Sequence, residues 1–372
     1  MNSIKGKYTE AIIYTDDIEE YAKAQIQMIC DNEVSKGSQI RVMPDVHPGK
    51  VGPIGLTMTL GERVIPNLLG VDIGCGMLMA KVRTKGLEFQ KLDKVIRENV
   101  PSGFAIRQNS HSMSEGFDLT RLNCIGHINK DKAMRSLGTL GGGNHFIEID
   151  KGEGGVYVVI HTGSRHLGME VTEHYIREGQ NALKEKGENV PYEMTWLEGD
   201  LKDAYLHDVS VAQEYAARNR EIILREIIKG MKWKESDRWE SVHNYIDELS
   251  DGRKILRKGA ISAMKDQPVI IPVNMRDGVI IGTGKGNVDW NESAPHGSGR
   301  KFKREDVKKQ FTVSSFKTEM KGIYSTCVGE DTLDEAPFAY RDINSITENV
   351  KNTMDVIEIL KPVYNFKAGE KK

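Results

Sequence analysis

The chain has 372 residues, of which 28% are charged, and a formal net charge of only −2. That balance excludes a basic nucleic-acid coat and an acidic tail protein, so any nucleic acid has to be met by a local patch. No Pro/Ser-rich or low-complexity linker divides the sequence, which predicts one domain over 1–372, and no stretch approaches the roughly 20 apolar residues of a membrane span. The opening Met-Asn-Ser-Ile-Lys-Gly-Lys lacks the apolar segment of a secretory leader, so a cytoplasmic protein is expected. Cys30, Cys75, Cys124 and Cys327 fall at unrelated spacings without a C-x-x-C, and no disulfide is expected.

In chain order, residues 16–35 read as an amphipathic helix with Ile18, Ala22, Ile26 and Ile29 on one face and Asp16 or Thr15 as cap. Short strands are predicted at Gln39 to Met43, Gly55 to Leu60 and Met77 to Val82, broken by turns at Pro44 to Gly49 and Gly70 to Gly76. Val156 to Ile160 is a continuous apolar strand that delivers His161 at its end. Helices follow at Met169 to Lys186 and Leu201 to Lys229, the second with Tyr205, Val209, Ala212, Ala216 and Ile223 on one stripe. After a charged stretch, Lys232 to Glu240, strands return at Lys254 to Leu256, Pro268 to Val273 and Val279 to Ile281, and a last helix is predicted from Ile343 to Ile359. Strands outnumber regular β-α alternations, so the class is α+β, a compact domain of mixed sheets with flanking helices.

The chemistry sits in glycine-rich punctuation. Asp72 and Cys75 in G-V-D-I-G-C-G offer a carboxylate and a thiol three residues apart in a bendable loop; the competing reading makes Cys75 a small buried hydrophobe and Asp72 a turn former. His145 follows Gly-Gly-Gly-Asn144 and precedes Glu148, a loop suited to an anion beside a metal. His161-Thr-Gly-Ser-Arg165 joins an imidazole to a guanidinium shaped for phosphate, and His243 precedes Asn244. Thiolate and imidazole favour zinc or iron, and the carboxylate keeps manganese in play. His296 in P-H-G-S-G-R-K-F-K-R differs: glycines open a nest of N–H donors around it and four cations follow, which suits a nucleophile that carries a phosphoryl group. A sixth metal ligand or a plain phosphate contact is the alternative role.

These segments, with Met43-Pro-Asp-Val-His47, Arg257-Lys-Gly-Ala260 and Glu335-Ala-Pro-Phe-Ala-Tyr340, resemble the RtcB family of GTP-dependent RNA ligases over nearly the whole chain. The resemblance implies an RtcB-like fold and the joining of a 2′,3′-cyclic phosphate or 3′-phosphate RNA end to a 5′-hydroxyl end with GTP and one or two Mn²⁺, in RNA repair or tRNA splicing. Asp72, Cys75, His145, His161 and His243 would hold the metal, with Cys75 bridging, and His296 would become guanylylated. Asn144, Glu148, Asn274, Met275, Ser298, Gly299, Tyr340 and Lys367 would meet the nucleotide, with Tyr340 stacked on the guanine, while Arg165, Lys258, Arg300 and Arg304 would seat RNA phosphates. The same resemblance leaves room for an activating protein factor. The chain departs from the family at Pro272-Val-Asn-Met-Arg-Asp-Gly-Val279, where two expected serines become Asn274 and Val279, and at Ser298, Phe302 and Lys303. Its residues also suit a second reading, a metal-dependent RNA-end phosphohydrolase or cyclic phosphodiesterase that does not seal.

Overall fold

Two antiparallel-rich sheets are joined at their ends in the computed structural model, which describes residues 2–368. The larger runs in the order Lys234–Val242, Gly76–Arg83, Gly155–Thr162, Phe146–Gly152, Met354–Lys367, Gly278–Gly284, Pro268–Asn274, every neighbour antiparallel. The smaller runs Asn2–Lys5, Glu10–Ile13, Ile40–His47, Ile54–Thr59, Lys254–Lys258, Asn244–Glu248, with one parallel pair between its second and third members. The class is the mixed α/β arrangement expected, with helices flanking the sheets.

The strand alternation is legible in the packing. Leu78, Ala80 and Val82 face one core with Val158 and Ile160, while Met77 and Met79 face another with Tyr157 and Val159, so both faces of this sheet are covered. The helix Gly199–Met231 spans both sheets: Tyr205, Val209, Ala212 and Tyr215 belong to the smaller sheet's core, and Ile223, Leu224 and Ile227 to that of the larger.

Register then fixes the site. Gly76 pairs with Thr162 and with Val242, and His161 pairs with Phe146. In an antiparallel sheet the start of one strand lies beside the end of the next. Cys75, His145, His161 and His243 therefore arrive at one end of four adjacent strands. His243 is also the hinge between sheets: its N–H donates to Cys75 O at 2.9 Å and its carbonyl accepts from Gly259 N–H at 2.7 Å.

Several expected elements shift. The first helix is only Glu20–Cys30, begun at Glu19 without a side-chain cap, because Thr15 Oγ1 accepts from Asp17 N–H and Asp16 accepts from Asn2 instead. Pro44 to Gly49 is not all turn: the strand continues to His47, and its ladder is irregular between Val42 and His47, where a proline without an N–H is tolerated. The charged stretch forms the strand Lys234–Val242, its polar side chains on an open face. The last helix is wrong beyond its second turn. Ile343–Asn349 is helical, but Met354–Lys367 is a strand, its β-branched run Val356, Ile357 and Ile359 favouring the pleat and Pro362 lying at a register shift.

Gly74 shows how tightly the ligand loop is seated. Its φ is +73° and an added Cβ would come within 2.7 Å of Ala216 Cβ on the long helix. Gly37, at φ +78°, has nothing within 4 Å. Gly74→Ala is expected to cost about 2–4 kcal/mol, against about 1 kcal/mol for Gly37→Ala, read as shifts in urea midpoint at constant slope. Equal costs would show that backbone strain alone, and not the helix contact, holds the loop.

Candidate metal centre and nucleotide cavity

Four buried side chains and one half-buried carboxylate converge where the strand ends meet. Cys75 Sγ lies 3.4 Å from both His145 Nε2 and His161 Nε2. His145 Nε2 is 3.2 Å from Asp72 Oδ2, and His161 Nε2 is 3.2 Å from His243 Nε2. Two ligand groups result, Asp72–Cys75–His145 and Cys75–His161–His243, each with donor atoms within 4.8 Å of one another, and Cys75 belongs to both. That sharing is what a bridging thiolate requires.

Tautomers follow from the outer contacts. A carbonyl can only accept, so His145 Nδ1–H donates to Leu140 O at 2.9 Å and His161 Nδ1–H to Asn144 O at 3.1 Å. Nε2 is then the inward-facing nitrogen of each ring, a lone pair on neutral His161 and, on His145, the atom that donates to Asp72 when the ring is protonated and is free to bind a metal when it is not. Burial, with the charge of His145 added, drops His161 to about 3, and burial with His296 and His161 nearby drops His243 well below the usual imidazole range. Neither ring takes a second proton near neutrality, yet their Nε2 atoms face each other. Burial pushes Asp72 upward, but the His145 hydrogen bond and charge hold it well below the usual carboxylate range; Cys75 is pushed far up by burial and by Asp72. A divalent cation held by these residues would replace the thiol proton and the proton between the two Nε2 atoms, so the residues fit a metal. Thiolate, imidazole and carboxylate together do not select which one.

His296 stands next to the cluster, its ring centroid 4.9 Å from that of His243. Its Nδ1 is 2.8 Å from Asp45 Oδ2, in an approach bent away from the N–H axis, and the same oxygen accepts from the backbone N–H groups of His296 and Gly297 at 3.2 and 3.3 Å. Asp45 thus fixes the loop and turns Nε2 to the open side. Sequence reasoning missed this carboxylate, although it lies in the Met-Pro-Asp-Val-His segment already singled out.

A cavity of about 910 Å³ opens from His161, His243 and His296. All eight residues assigned to the nucleotide line it, as do Arg300 and Arg304, whereas Arg165 and Lys258 do not. Arg165, at φ +56°, places Nη1 within 3.2 Å of His145 Nδ1, beneath the glycine loop. Lys258 Nζ donates to Leu69 O at 2.8 Å. Within the cavity many polar groups already have partners. Asn274 Oδ1 accepts from the N–H groups of Arg276 and Asp277 and its amide donates to Asp277, closing the hairpin turn. Ser298 donates to Val273 O at 2.7 Å. Glu335, also missed from sequence, accepts from Tyr340 OH at 2.6 Å and pairs with Lys367, Arg300 and Arg304.

A sequence profile described as tRNA-splicing ligase RtcB matches residues 32–368. The chain is 30% identical to RNA-splicing ligase RtcB of Escherichia coli (strain K12), over 87% of this chain and 88% of that protein. It is 29% identical to tRNA-splicing ligase RtcB of Aeropyrum pernix, over 91% and 90%, and 25% identical to RNA-splicing ligase RtcB2 of Escherichia coli (strain ATCC 25922), over 99% and 100%. Fold and cluster define a mixed α/β protein with a metal-capable centre beside a cavity that carries several charged side chains. The chain belongs to the RtcB family of tRNA-splicing ligases.

Glu148 and Asp150 share one face of the Phe146–Gly152 strand, and Asn365 Nδ2 donates to Glu148 at 2.5 Å. Burial pushes Glu148 up to about 7, and burial with the charge of Glu148 pushes Asp150 well above its range. The pair holds its proton more tightly folded than unfolded, so its contribution to stability is complete below the ordinary carboxylate value of 4.5 and declines as pH rises toward 7. Glu148→Gln is expected to flatten the pH dependence of unfolding between pH 5 and 7.5 by on the order of 1–3 kcal/mol. Urea titrations of both proteins at the two pH values check this, and parallel profiles would refute it.

Proposed function

We propose that the protein joins a 2′,3′-cyclic phosphate or 3′-phosphate RNA end to a 5′-hydroxyl end, using GTP and one or two Mn²⁺ held by Asp72, Cys75, His145, His161 and His243. The observation that carries this reading is the placement of His296, backed by Asp45 and 4.9 Å from His243, at the mouth of the cavity. The cation supplies charge neutralisation on the phosphates and orients them for in-line displacement. His296 Nε2 attacks the α-phosphorus of GTP, forming an N–P bond as the bond to pyrophosphate breaks. A cyclic end is first opened by water, which breaks the P–O2′ bond and leaves a 3′-phosphate and a 2′-hydroxyl; the RNA 3′-phosphate oxygen then displaces the imidazole, giving an RNA-3′-pp-5′-G end, and the 5′-hydroxyl displaces GMP to form the phosphodiester. Asp45 keeps the His296 ring aimed by holding Nδ1 and the loop backbone on its carboxylate.

On this reading Asn144, Glu148, Asn274, Met275, Ser298, Gly299, Tyr340 and Lys367 surround the nucleotide, with Asn274 acting through turn shape because its side chain is spent on Arg276 and Asp277. Arg300 and Arg304 meet RNA phosphates by exchanging Glu335 and Asp334 for them. Arg165 and Lys258 act on the RNA from below the metal loops. The place of action is the cytoplasm, and among the described residues no helix is long and apolar enough to cross a membrane.

Intact mass after incubation with GTP and Mn²⁺ tests the reading: one added GMP is expected, absent in His296→Ala. Cys75→Ala is expected to lose metal and adduct together, since one thiolate serves both ligand groups. No adduct with any nucleotide, alongside hydrolysis of cyclic phosphate, would select the phosphohydrolase instead. Asp45→Asn is expected to keep its metal while adduct formation slows by roughly 10²–10⁴-fold, as when an orienting carboxylate is lost behind a catalytic histidine. A rate within twofold of the parent would remove Asp45 from the mechanism.

A further inference from the structure

Three of the metal-capable loops and the strand carrying the fourth ligand meet a single turn of the long helix. Arg220, fully buried, donates from Nη1 to Gly74 O at 2.8 Å, the carbonyl just before Cys75, and to Thr162 O at 2.9 Å, the carbonyl just after His161. Its Nε pairs with Glu240 at 3.2 Å, on the strand that ends at His243. Asn219, also fully buried, accepts with Oδ1 from the N–H groups of Gly138 and Thr139 at 2.7 and 3.0 Å, on the loop leading to His145. Its amide donates to Thr139 O and Gly163 O at 3.0 and 3.1 Å.

Burying a guanidinium against carbonyls and one carboxylate is unfavourable unless geometry is fixed by it. Apolar residues would fill this helix turn at lower cost, as Ile222 and Ile223 do immediately after. What the polar pair adds is registration. One arginine nitrogen, Nη1, ties the Cys75 and His161 loops at a set separation while Nε reaches the His243 strand, and the amide of its neighbour ties in the His145 loop.

We propose that Asn219 and Arg220 are positioning residues for the metal centre, holding the segments that carry Cys75, His145, His161 and His243 at ligand spacing. They touch none of the ligand atoms. The proposal rests on the cluster being a metal site and adds to it the device that sets its dimensions.

Arg220→Lys keeps the charge and loses the second bonding nitrogen, since one amine cannot stand at both the Nη1 position beside the two carbonyls and the Nε position beside Glu240. The apoprotein is expected to unfold within a few degrees of the parent, to bind Mn²⁺ roughly 10–100-fold more weakly, and to show a diminished or shifted thiolate-to-metal absorption band with Co²⁺. Arg257→Lys is the control. Arg257 is equally buried and pairs with Asp247, Tyr245 and Ser293, but bonds none of the backbone carbonyls beside Cys75, His145 or His161. It is expected to lose stability while keeping parental Mn²⁺ affinity and Co²⁺ band.

Should Arg220→Lys not fold, Glu240→Ala decides, because Glu240 is 34% exposed and its truncation severs only the link to the His243 strand. A several-fold loss of Mn²⁺ affinity is expected there. Parental affinity and band in every folded variant would overturn the clamp while leaving the metal site standing. Affinity lost in Arg257→Lys as well would overturn it too, by reducing the effect to general stability. A parent protein that binds neither Mn²⁺ nor Co²⁺ would remove the underlying metal reading.

Discussion

His161 and His243 face each other through Nε2 at 3.2 Å in a buried pocket, and without a metal neutral His243 meets the His161 lone pair only by carrying its own proton on Nε2, which leaves its Nδ1 buried with no partner. A second, charging proton is disfavoured by burial on both rings. The shared thiol 3.4 Å from His161 has the same difficulty in reverse, since its anion is disfavoured without a compensating charge. Both frustrations have one solution, a cation. The rest of the architecture can be understood as what is needed to hold this set in place without it.

The work is divided between sheet and helix. Antiparallel register brings four strand ends to one edge, which fixes ligand positions to within a residue but leaves the loops free to tilt. The long helix removes that freedom, with Ala216 packed under Gly74 and Asn219–Arg220 holding the loop carbonyls. Gly163 is a further constraint, since a Cβ there would fall 2.3 Å from Asp72 Oδ1. Small residues at such points let a carboxylate approach a neighbouring backbone that any side chain would block.

What the sequence disclosed follows the same division. Apolar alternation located the central strands, and the glycine-rich runs located the loops, because both are local properties of the chain. Asp45 and Glu335 escaped because their roles depend on partners more than 200 and 30 residues away, His296 and Lys367, that no local pattern exposes. Asn219 and Arg220 left one readable trace: with Asp208 they are the polar residues among the buried positions of a helix otherwise lined by residues such as Tyr205, Val209, Ala212, Ala216 and Ile223. The terminal strand was misread because Ile343, Ile346 and Val350 do form a helical face, and the change of period after it is marked only by β-branched residues.

The cavity's electrostatics explain how a chain of net charge −2 can receive polyanions. Arg300, Arg304 and Lys367 are each paired with Glu335, and Arg304 also with Asp334, so three cations share two carboxylates and the cluster is left net positive, with every cation already paired, before any ligand enters. Burial works against Arg304 as a cation, but Glu335, Tyr340 and Asp334 keep it firmly protonated. Burial works against Glu335 as an anion, yet Lys367, Arg304 and Arg300 hold it down at about 2. Phosphate therefore gains no bare cation on entry. It gains access to donors already aligned and charged, in exchange for one carboxylate that keeps Lys367 in any case. Such an exchange favours ligands with several phosphate oxygens presented at once over isolated anions, because only a multidentate ligand matches the contacts that the arginines give up.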